Sequence, residues 1–203
     1  MSFRLPIYPL RESEVSSVRP AEGLRRERIF LTGFMGSGKS TIGPILANTL
    51  GWNFVDMDRA IERAVGSTIN EIFKEKGEAA FRVLEGTMLQ DLAIARSTVI
   101  ALGGGTLGND HAFRMVSQSG ILVYLKIPSE QLFFRLRKKT DRPLLIAGET
   151  TEADENRLRM RMTELHKIRE PYYNMADIIV ETGTQSVGRT VDELVRKLIP
   201  MIS

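Results

Sequence analysis

Gly33-Phe34-Met35-Gly36-Ser37-Gly38-Lys39-Ser40-Thr41 is the stretch whose reading decides the fold. A short apolar run, Ile29-Phe30-Leu31, precedes it, and a helix-like stretch, Ile42 to Leu50, follows. Strand, glycine loop, lysine and helix, in that order, make the G-x-x-x-x-G-K-[ST] pattern in the context it needs. Gly33, Gly36 and Gly38 let the backbone turn tightly and aim successive N–H groups into one concavity. The N-terminus of the next helix adds unpaired donors and the positive end of its dipole. Gly36, Ser37, Gly38, Lys39, Ser40 and Thr41 are therefore expected to hold a triphosphate. Lys39 reaches its β- and γ-phosphates, and the Ser40 hydroxyl ligates Mg²⁺.

Outward from this loop, strands and helices alternate. Asn53 to Asp56 reads as a second strand, and Asp58 to Val65 as a helix closed by Gly66. Ile69 to Lys76 is a further helix, broken by Gly77, and Glu78 to Ala95 a longer one. Thr98 to Leu102 is a β-branched, apolar third strand that runs into Gly103-Gly104-Gly105. A helix from Asp110 to Ser119, a fourth strand from Ile121 to Ile127, and a helix beginning at Pro128 and continuing over Glu130 to Lys139 come next. Residues 140–156 are polar and poor in core-forming side chains, which makes them a lid candidate. Arg157 to Arg169 is a very polar helix, expected to stop before Pro171. Asp177 to Glu181 is the fifth strand, and Val187, Val191, Leu194, Val195, Leu198 and Ile199 trace the apolar stripe of a final helix. The alternation predicts an α/β, three-layer, doubly wound domain with a parallel sheet and its catalytic loops at the carboxyl ends of the strands.

Composition narrows the function classes. The 203 residues suit one α/β domain, and 42% hydrophobic residues suffice for a sizeable core. Cysteine is absent, so disulfide and thiolate chemistry are excluded. No run approaches a membrane span, and the N-terminus lacks an apolar signal stretch. A cytoplasmic enzyme without a membrane partner is expected. Net charge is +3, but residues 1–28 hold six Arg and four Glu. The remaining chain is near neutral, which argues against a nucleic-acid binder. Residues 1–27, with Pro6, Pro9 and Pro20, read as a flexible extension, and the domain as 28–203.

Five further features carry chemistry. Asp56-Met57-Asp58 reads either as a strand end with a helix cap or as two carboxylates sent to one side by strand alternation. Beside the glycine loop, the second reading gives one carboxylate to Mg²⁺ and one to an acceptor hydroxyl. Arg82 and Glu85, three apart on a helix, either pair on its surface or form a carboxylate-binding fork and its support. Gly103, Gly104 and Gly105 suit close approach of backbone to a ligand. Arg142 opens the lid candidate, where it could close over a transferring phosphoryl group. Arg169 either caps a helix end or supplies a second guanidinium to an anionic acceptor. His111 and His166 lack metal-ligand spacing, and Trp52 reads as core.

Asp-x-Asp, Phe-Arg-x-x-Glu, Gly-Gly-Gly, Arg-Pro-Leu and Arg-x-Pro-x-Tyr, following the glycine loop in this order over about residues 28–200, resemble shikimate kinase. The resemblance implies a nucleoside-monophosphate-kinase-like P-loop fold with a five-stranded parallel sheet in order 2-3-1-4-5. It implies ATP and Mg²⁺, and phosphorylation of the 3-hydroxyl of shikimate on the route to chorismate and the aromatic amino acids. Carried over by motif, Asp58, Arg82, Gly103, Gly104, Gly105 and Arg169 bind shikimate, with Arg82 and Arg169 on its carboxylate. Lys39, Asp58 and Arg142 are the catalytic set, with Asp58 the candidate base for the attacking hydroxyl. Because phosphoryl transfer needs positioning more than a strong base, Asp58 is expected mainly to orient that hydroxyl. Ser40 meets Mg²⁺ directly and Asp56 through water. Arg135 stacks on adenine, opposite the loop at about 183–186. Enzymes of this type are usually monomers, so a monomer is expected. The rival readings are a gluconate or nucleoside monophosphate kinase, which leaves Arg82, the glycine turn and Arg169 unexplained, and a regulatory or nucleic-acid-binding module.

Overall fold

The structure, a computed structural model, describes residues 27–137 and 152–202. Five strands, β1 (Arg28–Thr32), β2 (Asn53–Asp56), β3 (Thr98–Ala101), β4 (Ile121–Lys126) and β5 (Ile178–Glu181), form one sheet in the order β2-β3-β1-β4-β5. Every pairing is parallel. The expected five-stranded order is therefore observed. β1 lies at the centre between β3 and β4, covered on both faces; all five of its residues are buried.

Its alternation divides the core. Ile29 and Leu31 pack with α1 (Lys39–Leu50) and α7 (Val187–Ile202) through Ile42, Leu46, Val191, Leu194 and Leu198. Phe30 points the other way. There it meets α2 (Met57–Val65), α3 (Ile69–Leu92) and α4 (Asp110–Ser119) through Met57, Ile61, Ile72, Phe81, Leu89 and Val116. Arg28 starts the strand fully buried. Its Nε donates to the Ser119 carbonyl at 2.7 Å and its Nη1 to the Ala95 carbonyl at 2.7 Å, so the cation ties two loops beneath the sheet.

A third, smaller core joins the glycine loop to α5 (Ser129–Arg137) and α6 (Glu152–Tyr173). Phe34 packs there with Leu132, Phe133, Leu136, Leu158 and Met162. α3 bends at Gly77, whose φ of 76° is non-helical, where the sequence places a break between two helices.

α6 departs from expectation. It begins at Glu152, inside the stretch read as lid, and runs through Pro171 to Tyr173 instead of stopping before the proline. Proline removes one N–H, and the carbonyl it orphans belongs to Lys167; both residues face solvent, where water replaces the bond. Helical register continues past the proline, with Asn174 N–H still donating to the Glu170 carbonyl at 2.9 Å. Burial of Tyr173, 1% exposed, holds the last turn in place. Residues 1–26 of the expected extension and 138–151 of the expected lid, including Arg142, lie outside the described residues.

Candidate active site

The glycine loop, residues 33–38, sits at the carboxyl end of β1. Gly33, Gly36 and Gly38 have φ of 139°, 85° and 109°, a region closed to most side chains. Gly33 is also confined in space: a methyl group there would lie 2.6 Å from the Leu125 carbonyl and 2.8 Å from Ser37 Oγ. Gly38 precedes α1 and offers no side-chain cap, and no acidic residue lies in that first turn. By contrast α2, α3 and α4 are capped by Asp56, Thr68 and Asn109. The α1 N-terminus is thus the uncapped one of these four, with its donors and dipole available to phosphate. Lys39 Nζ folds over the loop, donating to Gly33 O at 2.7 Å and Phe34 O at 3.2 Å.

Arg135 Nη1 donates to the Gly36 carbonyl at 2.9 Å. A methyl group on Gly183 would approach Arg135 Nη2 to 3.3 Å. The loop after β5 therefore lies beside Arg135. Thr182 ties that loop to the phosphate loop, its Oγ1 donating to Ser37 O at 3.0 Å.

Asp56 corrects the strand-alternation reading. β2 ends at Asp56, which caps α2 by accepting from Arg59 N–H at 3.3 Å; Asp58 is in the first helical turn. The two carboxylates part because the backbone changes period between them. Asp56 Oδ2 accepts from Ser40 Oγ at 2.8 Å. This exposed pair of hard oxygen donors beside the phosphate loop fits Mg²⁺, which takes one or two protein oxygens, substrate phosphates and water. No group of three or more His, Asp or Glu forms a metal cage among the described residues.

Asp58 turns instead to the glycine turn. A methyl group on Gly103 would lie 2.7 Å from Asp58 Oδ1, 3.0 Å from Thr106 Oγ1 and 3.3 Å from Glu85 Oε1. One on Gly104 would lie 3.5 Å from Arg169 Nη1. One on Gly105 would lie 3.1 and 3.2 Å from the two Arg82 Nη atoms and 3.3 Å from Arg169 Nη2. Space and not backbone conformation favours glycine at 103 and 105, since none of the three has a left-handed φ. Three residues from three helices, Asp58, Arg82 and Arg169, thereby meet over one turn. Arg169 is not a helix-end cap: its Nη1 is buried without a hydrogen-bond partner, and its guanidinium lies 5.6 Å from the Phe34 ring centroid.

Arg82 and Glu85 pair as their spacing allows, but Glu85 is buried and not on the helix surface. They pair at 2.7 Å, and Glu85, 5% exposed, also accepts from Thr106 Oγ1 at 2.7 Å. Burial disfavours the Arg82 cation, but hydrogen bonds from Glu78 and Glu85 more than offset this and raise its pKa. Glu78, bonded to Arg82 Nη2 at 2.8 Å, escaped the sequence reading although its i,i+4 spacing signals it. Tyr173 escaped too, quoted only as part of a motif. Its hydroxyl donates to Gly104 O at 2.6 Å, and burial pushes its pKa up to about 12. His166 stacks on Phe34 at 5.9 Å and lies 3.1 Å from Glu170.

Comparison with known proteins agrees in one direction. The family model described as shikimate kinase matches residues 35–199. The shikimate kinase of Chlorobium chlorochromatii is 52% identical over 170 residues, covering 84% of this chain and 90% of the relative. The structure of shikimate kinase from Acinetobacter baumannii in complex with shikimate aligns with a TM-score of 0.76 at 34% identity, covering 86% of this chain and 94% of that one. A gluconokinase from Sinorhizobium meliloti aligns at TM-score 0.53 and 16% identity, over 88% of this chain and 94% of that one, which shows the shared fold alone.

Proposed function

The chain belongs to the shikimate kinase family and is an ATP-dependent kinase acting on an alcohol group, and from that premise we propose that it transfers the ATP γ-phosphoryl group to the 3-hydroxyl of shikimate. The observation that carries this reading is the convergence of Asp58, Arg82 and Arg169 on the Gly103–Gly105 turn, with Arg169 Nη1 buried and unpartnered. Two guanidinium groups and one carboxylate suit a small acid bearing hydroxyls. They suit it better than they suit a nucleobase.

The chain's own residues divide the work. Gly36, Ser37, Gly38, Lys39, Ser40 and Thr41 bind the phosphates, and Arg135 lies against the adenine. Ser40 and Asp56 hold Mg²⁺, which neutralises phosphate charge when bound. Arg82 and Arg169 grip the acceptor carboxylate, Glu85 fixes Arg82, and Gly104 and Gly105 bring their backbone to the ring. Asp58 accepts a hydrogen bond from the attacking hydroxyl and orients it toward the phosphate loop. Phosphoryl transfer of this kind needs alignment and charge neutralisation more than a strong base. Arg142, on a lid of about 140–156, supplies the last positive charge on closure. The catalytic domain spans 28–203, and the enzyme works as a monomer in the cytoplasm. No described helix is long and apolar enough to cross a membrane.

A coupled assay of ADP release with shikimate, gluconate and nucleoside monophosphates tests the reading. ATP turnover with shikimate alone is expected. Turnover with gluconate or a nucleotide and none with shikimate would overturn it.

A further inference from the structure

Arg82 is held by two carboxylates that share little but their charge. Glu85 Oε2 accepts from Nη1 at 2.7 Å, and Glu78 Oε1 from Nη2 at 2.8 Å. The Glu85 side chain is 7% exposed, and its second oxygen is taken by Thr106. It is fixed between two elements. The Glu78 side chain is 66% exposed and opens the helical half that follows the break at Gly77. It has room to turn into solvent, and the start of a helical segment favours a carboxylate in either orientation.

The Arg82 nitrogens that bond these carboxylates are also those that face the glycine turn, 3.1 and 3.2 Å from a methyl position on Gly105. A ligand carboxylate seated there draws on the same guanidinium and meets Glu78 as a like charge. Formal charges make the same point. Asp58, Glu78 and Glu85 offset the charge of Arg82 and Arg169 at the glycine turn, although the proposed ligand is an anion.

Resting on the acceptor reading above, we propose that Glu78 is a built-in competitor for the acceptor carboxylate, holding Arg82 in the free enzyme and yielding it when the acid binds. Affinity for the acid is lowered by this exchange. An acceptor without a carboxylate has nothing to exchange and leaves the Glu78–Arg82 pair in place, so the penalty set by Glu78 falls on the charged acceptor alone.

Glu78→Gln keeps the shape and an acceptor oxygen but removes the charge. Steady-state kinetics at saturating ATP would compare shikimate with its uncharged methyl ester, and calorimetric titration with shikimate would read binding directly. The KM and dissociation constant for shikimate are expected to fall roughly two- to five-fold, the scale of an exposed ion pair, with the ester unmoved. A shikimate KM that rises or stays put, or an equal change for acid and ester, would overturn the proposal in favour of a purely supporting role. If the unmodified enzyme did not phosphorylate shikimate at all, the acceptor reading would fail first, and this inference with it. That outcome is distinguishable because it precedes any comparison of variants.

Discussion

The Tyr173 hydroxyl donates a 2.6 Å hydrogen bond to the Gly104 carbonyl, and Tyr173 stands one helical turn beyond Arg169 on α6. The end of one helix thus fixes both a guanidinium and the backbone turn it faces. Tyr173→Phe keeps the ring packed against Tyr124, 5.1 Å away, and removes only the hydroxyl, with its bond to Gly104 and its contacts to Arg169 and Thr32. The orphaned carbonyl costs about 1 kcal/mol, so the KM for shikimate is expected to rise roughly five-fold with the KM for ATP little changed. Equal shifts in both, measured by steady-state kinetics, would point to a general loss of fold instead.

Alkaline stability follows from two phenols. Burial raises the pKa of Tyr124 and of Tyr173 to about 12 from an ordinary value of 10.0. The unfolded chain therefore releases these protons at a pH where the folded protein still holds them. Their contribution is fully present below pH 10 and is lost as pH rises toward 12. Denaturant midpoints are expected to decline across that window, and to decline less in Tyr173→Phe.

Two glycines give opposite outcomes on replacement by alanine. At Gly103 the added methyl would sit 2.7 Å from Asp58 Oδ1, so the carboxylate must move; kcat/KM is expected to drop by about 100-fold, as misplacement at a reacting centre does. Gly86, exposed in the middle of the second half of α3, has nothing within 4 Å of that position. Gly86→Ala is expected to stabilise the protein by about 0.5–1 kcal/mol with unchanged kinetics. Thermal unfolding and the coupled assay separate the two.

Asp56 has two tasks that one substitution can part. Asn caps helices as well as Asp, so Asp56→Asn preserves the α2 N-cap while removing the charge beside Ser40. The Mg²⁺ concentration for half-maximal rate is expected to rise about ten-fold while the melting temperature holds. A melting temperature that falls with the Mg²⁺ requirement unchanged would leave Asp56 as a cap only.

For Asp58, an orienting role and a base role differ in what Asn retains. Asn keeps an oxygen that accepts the hydroxyl proton but cannot take it away. Orientation predicts a higher KM for shikimate and a kcat reduced by no more than about 100-fold. Loss of kcat beyond about 1,000-fold with shikimate binding intact would establish a base.

Much of this was legible along the chain because its signals are local. The glycine loop, the apolar β1 and the alternation of strand and helix dictate a parallel sheet covered on both faces, since only that arrangement buries every apolar face. Residue chemistry, too, is written in sequence: Arg82, Arg169, Asp58 and three glycines announce an anion with hydroxyls. Where local rules were applied past their range they failed. Strand alternation could not place Asp58, because Asp56 ends the strand by capping a helix. The proline rule could not stop α6, because the carbonyl that Pro171 orphans is open to water and Tyr173 is buried beyond it.

Tertiary structure alone decided which of these groups meet. Arg82 and Arg169 come from different helices, and nothing in their spacing brings them to one turn. The folded sheet does so by delivering the carboxyl ends of its strands to one edge. It also decided that Glu85 is locked by Thr106 and that Tyr173 holds Gly104. These are long-range or rotamer-dependent contacts, and their energies depend on burial that exists only once the core has closed. The sequence by itself determined the fold and the chemistry available to it; packing determined the geometry in which that chemistry is held.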